Sequence, residues 1–317
     1  MILSSFKIKG SGCVPSRTYH THFNMSSQSV LDIFPPSFLL ELLLSNYFTV
    51  SAYLVVLYDI IITFDEEVLH IWKGKFSVVT VIFFINRYAG LVNSVGGLYN
   101  VLFANSASSC IVTNFINQIS LLILGIASPI FNAYRAWVIC NHSWSLFISI
   151  ILFGIVSPIF IGVQLSIMEF AYMLPLAAPY AICLWNYKGN LKILRAVEVS
   201  CRVSSVMFEL ITLLAILVKH FKHWRSQVRL GIKTSYAELL IRDGSLYFGV
   251  ILTLNIVVMI TDEVLADVGN PLSSFVAPVT CICISRLIIS PKNYQRRTME
   301  DTTDPVVSFG NVLANLE

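Results

Sequence analysis

The chain has 317 residues, of which 56% are hydrophobic and only 12% charged, and its formal charge is +3 at neutral pH. Soluble domains carry about 25% charged residues, so a soluble core of this length would lack the charged shell that keeps it dispersed; the mean hydropathy of +0.74 points the same way. The small net charge gives no basis for a nucleic-acid partner.

The apolar residues fall in blocks of about 18 to 25, the length a helix needs to cross roughly 30 Å of hydrocarbon. A spanning backbone must satisfy its own hydrogen bonds, and the blocks do not alternate as barrel strands do. The expected fold is therefore an all-α integral membrane protein, a bundle of seven transmembrane helices with receptor-like architecture, eight spans being the alternative.

In chain order, residues 1–40 read as a polar, disordered arm. The arm has no 7–15-residue apolar core of the kind a signal peptide needs, and Met25 offers an alternative start. The transmembrane domain occupies 41–293, with spans at 45–64, 76–99, 115–138, 144–165, 200–218, 243–261 and 271–290. A polar tail follows at 294–317. Of the connectors, 65–75 is short and carries both signs, whereas 219–242 is the most basic stretch of the chain. That basic connector is expected to face the cytoplasm, either as an ordinary positive loop or as a surface for anionic lipid or a cytoplasmic partner.

Segment 171–187 is apolar but short, and Pro175 and Pro179 interrupt it. Proline is tolerated inside spans, so the distribution of Lys and Arg has to separate seven spans from eight. Basic residues distant from the first span count little. Without Lys7, Lys9 and Arg17, seven spans with the N-terminus outside place twelve basic residues inside and three outside, while eight spans give nine and six. Seven spans are favoured, which makes 166–199 a long external loop over the bundle mouth. The expected location is the plasma membrane or another membrane of the secretory pathway.

Ionisable residues at membrane depth are costly and mark function by default. At about 1.5 Å of rise per residue, Asp59 and Arg286 lie at similar depths near the inner boundary, and Arg87 and Glu209 near mid-membrane. Matched depth and opposite sign predict two pairs, Arg87 with Glu209 and Asp59 with Arg286. They would either lock the packing or act as counter-ion, proton relay or latch; Asp59 and Arg286 have the further option of snorkelling to the inner headgroups.

Seven cysteines are scattered without zinc spacing, so no metal and no cofactor is expected. Cys110 and Cys183 both fall on the external side, where an oxidising compartment permits a disulfide. The alternative is two unrelated buried thiols. Asn24, in Asn24-Met25-Ser26, would be glycosylated on an external N-terminus, whereas Asn141 should stay bare in a cytoplasmic turn.

Residues 46–88, NYFTVSAYLVVLYDIIITFDEEVLHIWKGKFSVVTVIFFINRY, carry a Tyr-Asp pair, an acidic-Glu-Val step, Ile-Trp, a basic pair and Asn-Arg-Tyr. A second stretch, 239–257, contains Arg-Asp-Gly-Ser-Leu-Tyr-Phe, and 131–144 and 281–290 match more loosely. These stretches resemble the fungal integral membrane proteins that carry domain of unknown function 6533, found mainly in mushroom-forming fungi. The first two spans, 45–99, hold the main motif. The resemblance implies a seven-span fold in a fungal membrane and implies no function.

There is no GxSxG, HExxH, GxxxxGK[ST] or GxGxxG pattern, so the chain is not expected to be an enzyme. A receptor-like protein of unknown ligand is the preferred reading, on the topology, the external cysteine pair and the basic inner connector. Against it, Tyr134-Arg135-Ala136 and Ser290-Pro291-Lys292-Asn293-Tyr294 depart from the commonest receptor motifs. A transporter or channel for a small molecule or ion is the alternative; Pro129, Pro158 and Pro278 break spans, but without the repeats such proteins show. A structural membrane protein is the third.

Overall fold

A computed structural model describes residues 36–73, 76–103, 106–177, 180–187, 191–230, 236–264 and 270–289. Seven helices in it are long and apolar enough to cross a membrane: Leu43–Ile62, Val78–Phe103, Ser108–Ile139, Trp144–Ile167, Arg195–Lys219, Ser245–Glu263 and Pro271–Ile289. The arm to residue 35, with Asn24, and the tail from 290 lie outside the described residues.

Several helices outrun the apolar blocks that announced them. The first runs Pro36–Ile62, the third Ala107–Ile139 and the fifth Leu191–Leu230. Polar residues extend a helix beyond the hydrocarbon because nothing there forbids helical hydrogen bonding. Most of the basic connector is therefore helical: Leu230 ends the fifth helix and Tyr236 begins the sixth. Its side chains beyond Arg225 lie outside the described residues.

The bundle is apolar outside and polar inside. Large apolar side chains such as Leu54, Tyr58, Ile61, Leu152 and Leu246 are exposed, where lipid would cover them, while Asn86, Arg87, Asn93, Asn114, Asn132, Glu209 and Asn255 are buried. Among the first six spans each packs against the next, the first also meets the start of the seventh, and the third touches the second, fourth and fifth. At the end of the bundle nearer residues 63–73, a dense apolar cluster fills the space: Ile82 and Phe83, Phe131, Ile216, Phe248, and Ile284 with Ile288.

The fourth span is two helices, Trp144–Gly154 and Val156–Ile167, broken at Ile155. Pro158 causes the break, since it has no N–H to give the Gly154 carbonyl. The fifth span knits to this place: Ser204 Oγ donates to the Phe153 carbonyl at 2.7 Å, and Cys201 Sγ to the Val156 carbonyl at 3.8 Å. Gly154 also lets the third span approach closely, because a Cβ there would collide with the ring of Pro129. Forcing those helices apart costs about 1–3 kcal/mol or more. Gly154→Leu should therefore lower the unfolding temperature of the purified protein, whereas Gly162→Ala, with nothing within 4 Å of the new methyl, should leave it unchanged.

Segment 171–187 is not an eighth helix. Strands β1 (Met168–Ala177) and β2 (Tyr180–Tyr187) form an antiparallel hairpin in which Met173 faces Cys183. The aromatic-rich runs favour strands, and Pro175 sits at a register irregularity, where a sheet tolerates proline. β1 touches the third span and β2 the second, so the hairpin lies across one end of the bundle. The segment expected to be an apolar external loop is thus an ordered cover.

Candidate functional site

Ala52, Val56, Asp59, Thr63 and Glu67 are all buried, and their spacing of three or four residues puts them on one helical face. At Thr63 the helix breaks: its Oγ1 donates to the Asp59 carbonyl at 2.6 Å, and the chain continues as a turn, Phe64–Glu67, and then a π-helical turn, Val68–Trp72. Widened turns of this kind recur at functional sites. Glu67 sits where the two turns meet, and its exposure is 1%.

Arg87 of the second span, 2% exposed, reaches into this stripe. Its Nε pairs with Glu67 Oε2 at 2.5 Å, and one terminal nitrogen lies 3.8 Å from Asp59 Oδ2. The other terminal nitrogen donates to Thr63 Oγ1 at 2.6 Å and to the Ile60 carbonyl at 3.1 Å. Glu67 Oε1 in turn accepts from Tyr88 Oη at 3.0 Å and Trp72 Nε1 at 3.1 Å. Arg286 of the seventh span completes the set, its Nε donating to Asp59 Oδ1 at 2.7 Å. Two carboxylates thus face two guanidinium groups and the charge balances. A planar guanidinium with five donors suits such a junction better than an ammonium would.

The structure brings Asp59 and Arg286 together, as their depths suggested, and it separates Arg87 from Glu209. Glu209 instead accepts from Asn255 Nδ2, at 2.8 Å and 2.9 Å for its two oxygens. The expected pair fails because depth fixes a residue's height and not the direction it faces. Arg87 turns to the first span and the turn that follows it, while Glu209 lines the cavity and pairs with Asn255 of the sixth span. Glu67 was missed because it belongs to the acidic run Asp65-Glu66-Glu67, which reads as a solvated connector. The signal that would have found it is the four-residue spacing of Asp59, Thr63 and Glu67.

Beside this network, in the half of the bundle nearer the hairpin, is a cavity of about 310 Å³. Asn86, Ser128, Phe160, Cys201, Glu209 and Asn255 are among the residues around it. On the fifth span Glu198, Arg202, Ser205 and Glu209 share one face and line it in turn. Toward the hairpin end Arg202 Nε pairs with Asp262 Oδ2 at 3.2 Å. Glu198 and Arg202 were not singled out in the sequence, since both fall near the outer margin of an apolar block. Asn86 joins cavity to network: it lines the first, precedes Arg87, and donates through Nδ2 to the Cys281 carbonyl at 3.0 Å.

Cys110 is disulfide-bonded. Cys140, Cys201, Cys281 and Cys283 are free thiols, and the side chain of Cys183 lies outside the described residues. Just past the third span, burial raises the Cys140 thiol above its ordinary value, with Lys219 opposing the shift, so this cysteine stays protonated and poorly nucleophilic at neutral pH. Among the described residues no group of three or more His, Cys, Asp or Glu is placed to hold a metal ion.

Asp59, Thr63, Glu67 and Arg87 fall in one stretch of about 30 residues, and that stretch has relatives. The model of a family described as Family of unknown function (DUF6533) matches residues 47–92. The matched stretch holds three of the four charges of the network, and the fourth, Arg286, lies outside it. The DUF6533 match covers most of the first span, the turn after it and the first half of the second span. A search of the curated proteins finds no match to the chain.

Proposed function

We propose that this multi-pass membrane protein is a seven-span, receptor-like protein that takes a small molecule into the cavity beside Glu209. The observation that carries this reading is the asymmetry of the bundle. One half holds a cavity of about 310 Å³, and the other is closed by the Asp59–Arg87–Glu67–Arg286 network and the cluster around Phe83, Phe131 and Phe248. A site reached from one side suits a receptor. A transporter needs a second path past the plug, and packed cores switch between discrete arrangements without deforming continuously.

In this reading the N-terminus is outside, in the plasma membrane or another membrane of the secretory pathway. The hairpin then covers the outer mouth, pinned to the third span by a Cys110–Cys183 disulfide. The connector at 219–242 faces a cytoplasmic partner or anionic lipid. The fungal source rests on the motif resemblance alone.

Cys201, a free thiol on the cavity wall, offers the test. A membrane-impermeant maleimide should modify Cys201 from the outer face of intact cells and not in inverted vesicles, with Cys201→Ser as control. Modification from both faces would favour transport; modification from the inner face alone would reverse the orientation.

A further inference from the structure

We propose that the cavity binds an organic cation, a protonated amine on an apolar body, with its ammonium directed to the Glu209 carboxylate and the Asn86 amide oxygen. The proposal rests on the reading of the cavity as a ligand site and adds the class of ligand.

Glu209 is 3% exposed, and its hydrogen-bond partner is the neutral Asn255. Among the described residues no cation pairs with it. A carboxylate buried away from water is costly unless a positive charge answers it. Asn86 supplies an independent sign. It is 1% exposed, and its Nδ2 is committed to the Cys281 carbonyl, which fixes the orientation of the amide. Its Oδ1 is left without a hydrogen-bond partner among the described residues. Buried acceptors are rarely left unmade, and Asn86 Oδ1 is such an acceptor in the lining of the cavity that Glu209 also lines.

The remaining charges agree. Arg202 is the basic residue in the lining, and Asp262 already pairs with it, while Glu198 adds a further carboxylate. The serine hydroxyls and the Gln164 amide of the lining can donate to an anion, but the Glu198 and Glu209 carboxylates would repel it, and a neutral apolar molecule would leave Asn86 Oδ1 as it is. The walls fix the rest of the ligand. Leu121, Leu124, Phe160, Ile161 and Val276 are apolar, so the ammonium must be carried on a hydrocarbon or aromatic body. A bare metal ion fits poorly, since hard cations demand six or so oxygen ligands. A volume of about 310 Å³ is at the lower end of the range for small-molecule sites.

The test uses the full chain in lipid nanodiscs and matched probes: phenethylamine with phenethyl alcohol, and hexylamine with hexanol. Each amine should raise the unfolding temperature by a few degrees more than its alcohol, and Glu209→Gln, which keeps an oxygen for Asn255, should erase that difference. Asn86→Leu should weaken amine binding about tenfold, the usual scale for a hydrogen bond to a charged group. Equal shifts from amine and alcohol in the unaltered protein overturn the proposal, as does an equal shift from sodium chloride or an amine preference that survives Glu209→Gln. Should the Glu209 variant fail to fold, protection of Cys201 from a neutral maleimide in the unaltered protein decides instead. Protection by phenethylamine and not by phenethyl alcohol supports the cation. Equal protection by both rejects the cation and keeps the cavity as a ligand site. Absence of protection and of any shift rejects both.

Discussion

Arg87→Met is expected to remove most of the folded protein, because it strands the Glu67 carboxylate, whose side chain is 1% exposed, and leaves Asp59 with Arg286 alone. Removing one partner of a buried ion pair costs about 3–5 kcal/mol, a large share of the roughly 5–15 kcal/mol that holds a typical domain folded. The original pair is not worth that much, since burying four charges offsets most of their attraction; the loss comes from the uncompensated charge left behind. A double-mutant cycle isolates the partner. Adding Glu67→Gln to Arg87→Met should recover part of the monodisperse fraction and of the unfolding temperature. Adding Glu209→Gln should recover none, because Arg87 pairs with Glu67 while Glu209 pairs with Asn255. A larger rescue by Glu209→Gln than by Glu67→Gln would falsify the assignment of partners. Arg286→Met should cost less, since the Arg286 side chain is 34% exposed and water screens what it leaves.

Cys110→Ser is the second large effect. Loss of a native disulfide from a small secreted domain costs about 2–5 kcal/mol, and here the bond anchors the start of the third span, which packs against the second, fourth and fifth. The substitution should lower the unfolding temperature, and dithiothreitol should lower that of the unaltered protein by a similar amount. Cys183→Ser should reproduce both the shift and the change in mobility on a non-reducing gel. If Cys13→Ser reproduces them and Cys183→Ser does not, the proposed pin between hairpin and third span is wrong.

Both predictions act on one arrangement. The network closes the end of the bundle nearer residues 63–73, and the hairpin packs against the second and third spans. Asn86 and Arg87, neighbours in sequence, face the cavity and the network respectively. A ligand that engages Asn86 would therefore bear directly on the helix that positions Arg87, which gives the cavity a physical route to the charged junction.

The sequence by itself determined what depends on composition along one dimension. Blocks of apolar residues long enough to cross a bilayer specify seven helices, since a backbone in hydrocarbon has few alternatives. Charges at membrane depth singled out Asp59, Arg87, Glu209 and Arg286, since lipid-facing charge is costly; the first three are buried and Arg286 is partly exposed. Two prolines in 171–187 raised doubt about an eighth helix, and the doubt was sound, although a hairpin was not foreseen. Tertiary structure alone decided the partners. Depth follows from a residue's number, but the direction a side chain faces follows from how each helix is rotated against its neighbours. That rotation is set by contacts such as Gly154 against Pro129, between residues far apart in the chain. It took Arg87 to Glu67 instead of Glu209, hid Glu67 inside a run of acids, and left Glu209 beside a cavity with a neutral amide as its partner.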